Sequence, residues 1–396
     1  MQPRRHGNAA ARLAGLMFLA LASVASHAQP SPEPVLRLGT DRHTAPIKGL
    51  SADASGRLLL TVSHDKTARV WEAATHRLVR TLRVPIGPDR EGKLYAGALS
   101  PDGRLAAVGG ILSGDDEAES VYLFDLGTGS LRQRLSGLQS AVMALAFAPD
   151  GRTLAAALGN GELHLFGAER GEPLAVIADC GQPIYGLAYS PDGRRFATAC
   201  DDGAIRLYDS GGKRLQASTP IRGAFPVRLA FSPDGRSLAA GYAQSPDLRV
   251  LRAADLKPAF TPDLKGIDNG DLSYLAWSAD GTTLYAGGNY DAKGAFPVFA
   301  WARGGRDARR IVGTQRSTIA GLAALPGGEL GVVAVDTTIG LYAADGRERW
   351  RLDPVTADLH GAENLQVGID GHVVRLRIDG DAARAGNDLR VQFDLR

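Results

Sequence analysis

The chain has 396 residues with 45 Lys and Arg against 43 Asp and Glu, a formal charge of +2. So even a balance excludes a concentrated basic face for nucleic acid and a polybasic patch for anionic membranes. The 44% hydrophobic content is ample for a packed core, and the 49 glycines and 21 prolines point to many turns.

Residues 1–28 read as a signal peptide. Arg4, Arg5 and Arg12 precede an apolar run, Leu13 to Val24, and the small-residue ending Ala25-Ser26-His27-Ala28 predicts cleavage after Ala28. The run is too short to span a bilayer, and no later segment comes closer. Arg4-Arg5 fits the positive end of an ordinary export signal better than a twin-arginine one. Removing this segment takes away three arginines and no acids, so the charge becomes −1 (42 minus 43). A Pro-rich leader follows at 29–34, and residues 35–396 form the folded region, which is expected to be periplasmic or secreted.

A tight-turn signature then recurs along the chain. It stands as Ser100-Pro101-Asp102-Gly103-Arg104, Ala148-Pro149-Asp150-Gly151-Arg152, Ser190-Pro191-Asp192-Gly193-Arg194 and Ser232-Pro233-Asp234-Gly235-Arg236. Shorter or weaker forms stand at Ala54-Ser55-Gly56-Arg57, Ser278-Ala279-Asp280-Gly281, Leu325-Pro326-Gly327-Gly328 and Gly368-Ile369-Asp370-Gly371. The glycines are 47, 48, 42, 42, 46, 47 and 43 residues apart, the period of a four-stranded propeller blade. Within a unit, Val142–Phe147 enters the turn, where Pro sets φ, Asp bonds the backbone ahead and Gly takes positive φ. Thr153–Ala157 leaves it, Glu162–Phe166 alternates as a third strand, and Pro173–Ile177 is a more polar outer strand. With no helical period after residue 28, the class is all-β: a single propeller of four-stranded antiparallel blades.

Blade one resembles the WD-repeat family. His43 precedes Ile47 by four residues, Thr61 precedes Asp65 by four and Asp65 precedes Trp71 by six. The resemblance implies that His43, Thr61, Asp65 and Trp71 form a hydrogen-bonded structural tetrad. Asn160 with Phe166, Asp202 with Tyr208 and Asp336 with Tyr342 keep the six-residue step but lose Trp and His, so the likeness fades toward the C-terminus. Eight turn signatures favour eight blades, with Leu389–Phe393 as the last third strand and Val35–Leu38 closing the ring. The alternative is seven blades with residues 355–396 as an extension.

Cys180 and Cys200 are the two cysteines, an even pair in an exported chain. Aligning Ile184 with Ile47 puts Cys180 at the family's His position and Cys200 two residues after Thr198, on the same side of its strand. The resemblance therefore implies a Cys180–Cys200 disulfide; two buried thiols are the alternative. His43, His64, His76, His164, His360 and His372 lack zinc-ligand spacing, and the acidic run Asp115 to Glu119 lacks the spacing of a calcium loop. No metal or cofactor is expected.

No nucleophile elbow, phosphate-cradling loop or paired acid and base stands out, so a non-catalytic reading is favoured. Insertions fall between second and third strands at Ile111 to Ser120, Tyr242 to Asp247 and Asn289 to Phe296. The resemblance implies that this loop shares one face with the segments entering the first strands. Tyr95, Tyr185, Phe225, Tyr242, Tyr274, Tyr290 and Phe296 on that face predict a protein-binding surface. Expected, then, is a monomeric periplasmic interaction scaffold or adaptor with a protein partner, no nucleic acid and no membrane span. Alternatives are an outer-membrane assembly scaffold of propeller type, or a propeller hydrolase or lactonase with a channel-bound metal.

Overall fold

The computed structural model describes residues 41–87, 90–112, 118–221 and 223–354, together with the backbone of three strands at 364–370, 373–379 and 389–392. Residues 1–34, where a signal peptide and leader are expected, and Val35–Leu38, Asp115 to Glu117, His360, His372 and Phe393 lie outside the described residues.

Why the turns recur is plain at Ser100–Leu105. The Ser100 hydroxyl donates to Asp102 Oδ1 at 2.6 Å and accepts from Leu105 N at 2.9 Å, while Arg104 N donates to Asp102 Oδ1 at 3.0 Å. Ser190, Ser232 and Ser278 repeat the arrangement with Asp192, Asp234 and Asp280. Gly103, Gly193, Gly235 and Gly281 all sit at φ of 68–69°, a conformation that costs glycine little and a β-carbon-bearing residue more. Each such turn joins the first two strands of an antiparallel sheet.

Among the described residues there are seven four-stranded sheets, each built from consecutive strands. In the third blade Val142–Phe147, Thr153–Leu158, Leu163–Gly167 and Pro173–Ile177 stand in that order, within a residue of the sequence expectation. Burial follows radius. The second strand of blade one, Leu58–Ser63, is buried throughout, whereas the fourth strand of blade four, Arg214–Ala217, is exposed throughout.

Alternation sends successive side chains of a strand to opposite neighbours. Leu58, Leu60 and Val62 pack with Leu94, Val108 and Tyr122 of blade two, while Leu59 between them packs with Val333 and Leu341 of blade seven. Likewise Leu154 and Ala156 face blade two, and Ala155 and Ala157 face blade four. The apolar interior is thus a set of seven inter-blade clusters, one per neighbouring pair.

This corrects the expectation of eight blades. Blade seven packs directly on blade one, where Trp350 lies 6.2 Å from Trp71 and stacks on His76 at 5.0 Å. All four strands of blade seven come from the continuous stretch 319–352. The eighth repeat, Asn364–Asp370, Val373–Asp379 and Leu389–Gln392, forms its own three-stranded sheet, the last two strands antiparallel, that falls largely in a second compact unit. A turn signature reports a local hairpin, and the number of such signatures is not the number of blades in a ring. No helix among the described residues is long and apolar enough to cross a membrane.

Trp301, on the third strand of blade six, is fully buried and its indole N–H donates to Asp263 O at 3.0 Å. Trp301→Ala is expected to cost about 3–5 kcal/mol by leaving a cavity. Urea unfolding measures this, and a loss under ~1 kcal/mol would contradict the packing described.

Candidate functional site

The first strands of the seven blades surround a central channel, and one irregularity recurs in them. Near the start of six of them, strand pairing slips by one residue: between Ile47 and Gly49, Leu94 and Ala96, Val142 and Ala144, Ile184 and Gly186, Pro226 and Arg228, and Ile319 and Gly321. The residues thrown out of register are Lys48, Tyr95, Met143, Tyr185, Val227 and Ala320. Blade six lacks the slip, and Tyr274 opens its first strand at the place that Arg228 holds in blade five, one residue past the bulge. A bulge re-aims a side chain without disturbing the strands around it. Here bulged Lys48, Tyr95, Met143 and Tyr185, joined by Tyr274 and Arg228, line a cavity of about 220 Å³ at this end of the channel.

Two cations share this lining. Burial, then the charge of Arg228, holds the Lys48 amine below its ordinary pKa. Arg228 Nη1 donates to the backbone carbonyl of Tyr185 and to Val227 O at 3.2 Å, and its guanidinium lies 5.1 Å over the Tyr274 ring. Burial and the nearby Asp201 raise the Tyr185 phenol. His64 meets the Tyr95 ring edge-on at 4.8 Å, and burial with the charges of Lys48 and Lys93 pushes its pKa down to about 4.

Antiparallel pairing puts the turns between second and third strands at this same end. The residues proposed from sequence divide there. Tyr95, Tyr185 and Tyr274 come together around the cavity. Phe225 and Phe296 are half-buried at the starts of their strands. Tyr290 leans on Phe299 at 5.8 Å and donates its hydroxyl to Gly266 O at 3.2 Å. Tyr242 is a correction: only 3% exposed, it packs with Ala240 and Ala199 in the core between blades four and five. It lies within a strand that runs to Ala243, so alternation commits it to the blade interface. Lys48, Met143 and Arg228 were missed. Reading one residue past the aligned Ile47 and Ile184 would have found Lys48 beside Tyr185.

In blade one His43 Nδ1 lies 2.8 Å from Asp65 Oδ2, and His43 Nε2 lies 2.7 Å from Thr61 Oγ1. Trp71 Nε1 donates to Thr61 Oγ1 at 2.9 Å. Burial outweighs the Asp65 hydrogen bond and lowers the His43 pKa, so the imidazole is neutral. Protons then run from Trp71 to Thr61, from Thr61 to His43 Nε2, and from His43 Nδ1 to Asp65. Burial alone would raise the Asp65 carboxyl, but bonds from His43, Thr67 and Thr44 N hold it at about 2.

Blade four fills the same place differently. Cys180 and Cys200 form a disulfide with Cα atoms 6.3 Å apart. Beside it the Tyr208 hydroxyl donates to Asp179 Oδ1 at 2.6 Å, and Arg206 bridges to Asp202 at 2.6 Å. Glu119, the end of the acidic run, is spent inside the fold: its Oε2 accepts from Leu112 N at 2.7 Å.

Comparison with known families places the WD domain, G-beta repeat, at residues 34–72, 129–166 and 171–209. The first match ends at the third strand of blade one. Each of the others starts near the outer strand of one blade and runs through three strands of the next. WD repeats in three places, together with seven four-stranded blades, support a WD-repeat propeller.

Two outcomes follow from these networks. His64 and His43 have folded pKa values below the ordinary 6.5, so the unfolded chain binds more protons below that pH. Stability is therefore expected to fall as pH drops from 6.5 toward 4, and to fall again through the Asp65 carboxyl between about 4 and 2. Urea midpoints at pH 7, 5 and 4 measure the slope, and His64→Gln should flatten it; an unchanged slope would count against the assignment. The disulfide closes a loop with a sequence separation of 20, for which the chain-entropy model gives about 3 kcal/mol. Oxidised protein should show no titratable thiol after unfolding, and Cys180→Ala with Cys200→Ala should lower the melting temperature.

Proposed function

We propose that the chain is an exported, non-catalytic interaction module that holds a polypeptide partner at the channel mouth, acting as an adaptor. The observation that carries this reading is the convergence of Tyr95, Tyr185, Tyr274, Met143 and Arg228, from five different blades, on one cavity. Tyr, Met and Arg are the residues enriched at protein interfaces, and they contribute most where they are clustered and desolvated. WD-repeat propellers generally serve as protein-interaction scaffolds, and WD repeats occur here in three places. The basic, apolar and small-residue order of positions 1–28 supports export to the periplasm, and a disulfide fits an oxidising compartment.

Tyr185→Ala and Tyr274→Ala test the reading. Both side chains are half-buried at the mouth, and Tyr274 also packs in part against the cluster between blades six and seven. Each is expected to cut retention of periplasmic partners on immobilised protein by about tenfold, the cost of a moderate hot spot. Melting temperature should stay within ~2 °C for Tyr185→Ala and fall somewhat further for Tyr274→Ala, whereas Tyr242→Ala should cost about 3 kcal/mol of stability. Undiminished retention by both channel variants would sink the proposal.

A further inference from the structure

The cavity at the channel mouth is lined by Lys48 and Arg228 and by no Asp or Glu among the described residues. The two cations come from blades one and five, across the ring from each other, yet the charge of Arg228 is felt at Lys48. Asp201, whose field reaches Tyr185, forms no described ion pair with either cation. Arg228 is held in place by two backbone carbonyls at Nη1 and by the Tyr274 face. Its remaining N–H groups meet no protein acceptor among the described residues. Two like charges facing one partly desolvated cavity oppose each other, and an anion placed between them relieves that opposition. Three phenols, Tyr95, Tyr185 and Tyr274, supply further hydrogen-bond donors around the same space.

We propose that the channel mouth is a carboxylate receptor, in which Lys48 and Arg228 hold an acidic group of an extended partner segment and the three tyrosines flank it. The inference rests on the reading that this end of the ring takes a polypeptide, and it names the chemistry recognised. About 220 Å³ corresponds to roughly seven waters at ~30 Å³ each. That accommodates a carboxylate and its methylene stem, not a folded element. Outside the cytoplasm the anions of a polypeptide are Asp, Glu and its own C-terminus, which makes carboxylate the group to test ahead of phosphate. A guanidinium suits it because its fork can grip both oxygens.

Fluorescence anisotropy with short rhodamine-labelled peptides separates the sources. One probe is tetraglutamate amidated at its end, one a Gly-Ala tetrapeptide with a free C-terminus, and one the same tetrapeptide amidated. At least one acid probe should bind the full chain, weaken with added salt, and lose about tenfold in affinity in Lys48→Gln and in Arg228→Gln. Binding by tetraglutamate alone assigns side-chain carboxylates, and binding by the free-ended tetrapeptide alone assigns a chain terminus. Thermal unfolding guards against misfolding, and Arg228→Lys, which keeps the charge, should retain part of the affinity. The proposal is overturned if no acid probe binds, if both Gln variants bind as the parent does, if the amidated tetrapeptide binds equally, or if a phosphoserine peptide binds more tightly than tetraglutamate. A photo-crosslinker at Tyr185 keeps the two readings apart. Partner capture that the acid probes fail to compete leaves the interaction module standing and removes the carboxylate, whereas no capture at all removes the module.

Discussion

A sheet with two apolar faces cannot stop at two neighbours in a row; each blade needs a partner on both sides. In this protein the second strand of every blade sends alternate residues one way and the other, as Leu58 and Leu60 do toward blade two and Leu59 toward blade seven. An open stack would leave one face of its first blade and one of its last in water. Burying a single leucine contributes about 1.5–3 kcal/mol, so the two uncovered faces would together outweigh the stability of an ordinary domain. Closing the ring removes both faces at once. The seam between blades seven and one is accordingly packed like the other six interfaces, with Trp71, Trp350, Ile47 and Val333 in contact across it.

Much of this was legible in the sequence because it is local. The Ser-Pro-Asp-Gly turn encodes its own hydrogen bonds, so its 42–48 residue recurrence located the first hairpin of each blade and fixed the strands around it. Ring membership was not legible in the same way. The number of blades depends on the fit between blade seven and blade one, a contact across about 300 residues of chain that no turn signal reports. Tyr242 failed for a related reason: its strand extends to Ala243, and the two-residue alternation continues with it into the interface. The channel residues were half legible. Their tyrosines stood out by type, but Lys48 and Arg228 look like ordinary surface cations until the bulged register gathers them.

The fading of the repeat along the chain has a physical counterpart. The tetrad of blade one ties the segment before the first strand to the second and third strands through a chain of neutral and charged hydrogen bonds. Blade four needs the same tie and obtains it from the Cys180–Cys200 bond with the Tyr208–Asp179 and Arg206–Asp202 contacts. Blade seven anchors Tyr342 differently again, its hydroxyl accepting from Gln315 Nε2 at 2.8 Å. What persists is the mechanical requirement and not the residue set, so sequence similarity can decay while the blade geometry does not.

The bulges explain how such a regular object presents a particular surface. Residues inside the strands are committed by alternation to one blade interface or the other, and a substitution there is felt as lost packing. At Lys48, Tyr95, Met143 and Tyr185 the bulged position escapes that commitment: it projects at the channel mouth while the residue before it, Ile47, Leu94, Val142 or Ile184, stays buried and holds the strand. The six bulged places carry Lys in one blade, Tyr in two, and Met, Val and Ala in one each without altering the ring. Chemical identity in this fold is concentrated where packing exerts least control, and the gathering of tyrosines and cations at the bulge or one residue past it is the pattern that binding, unlike folding, would require.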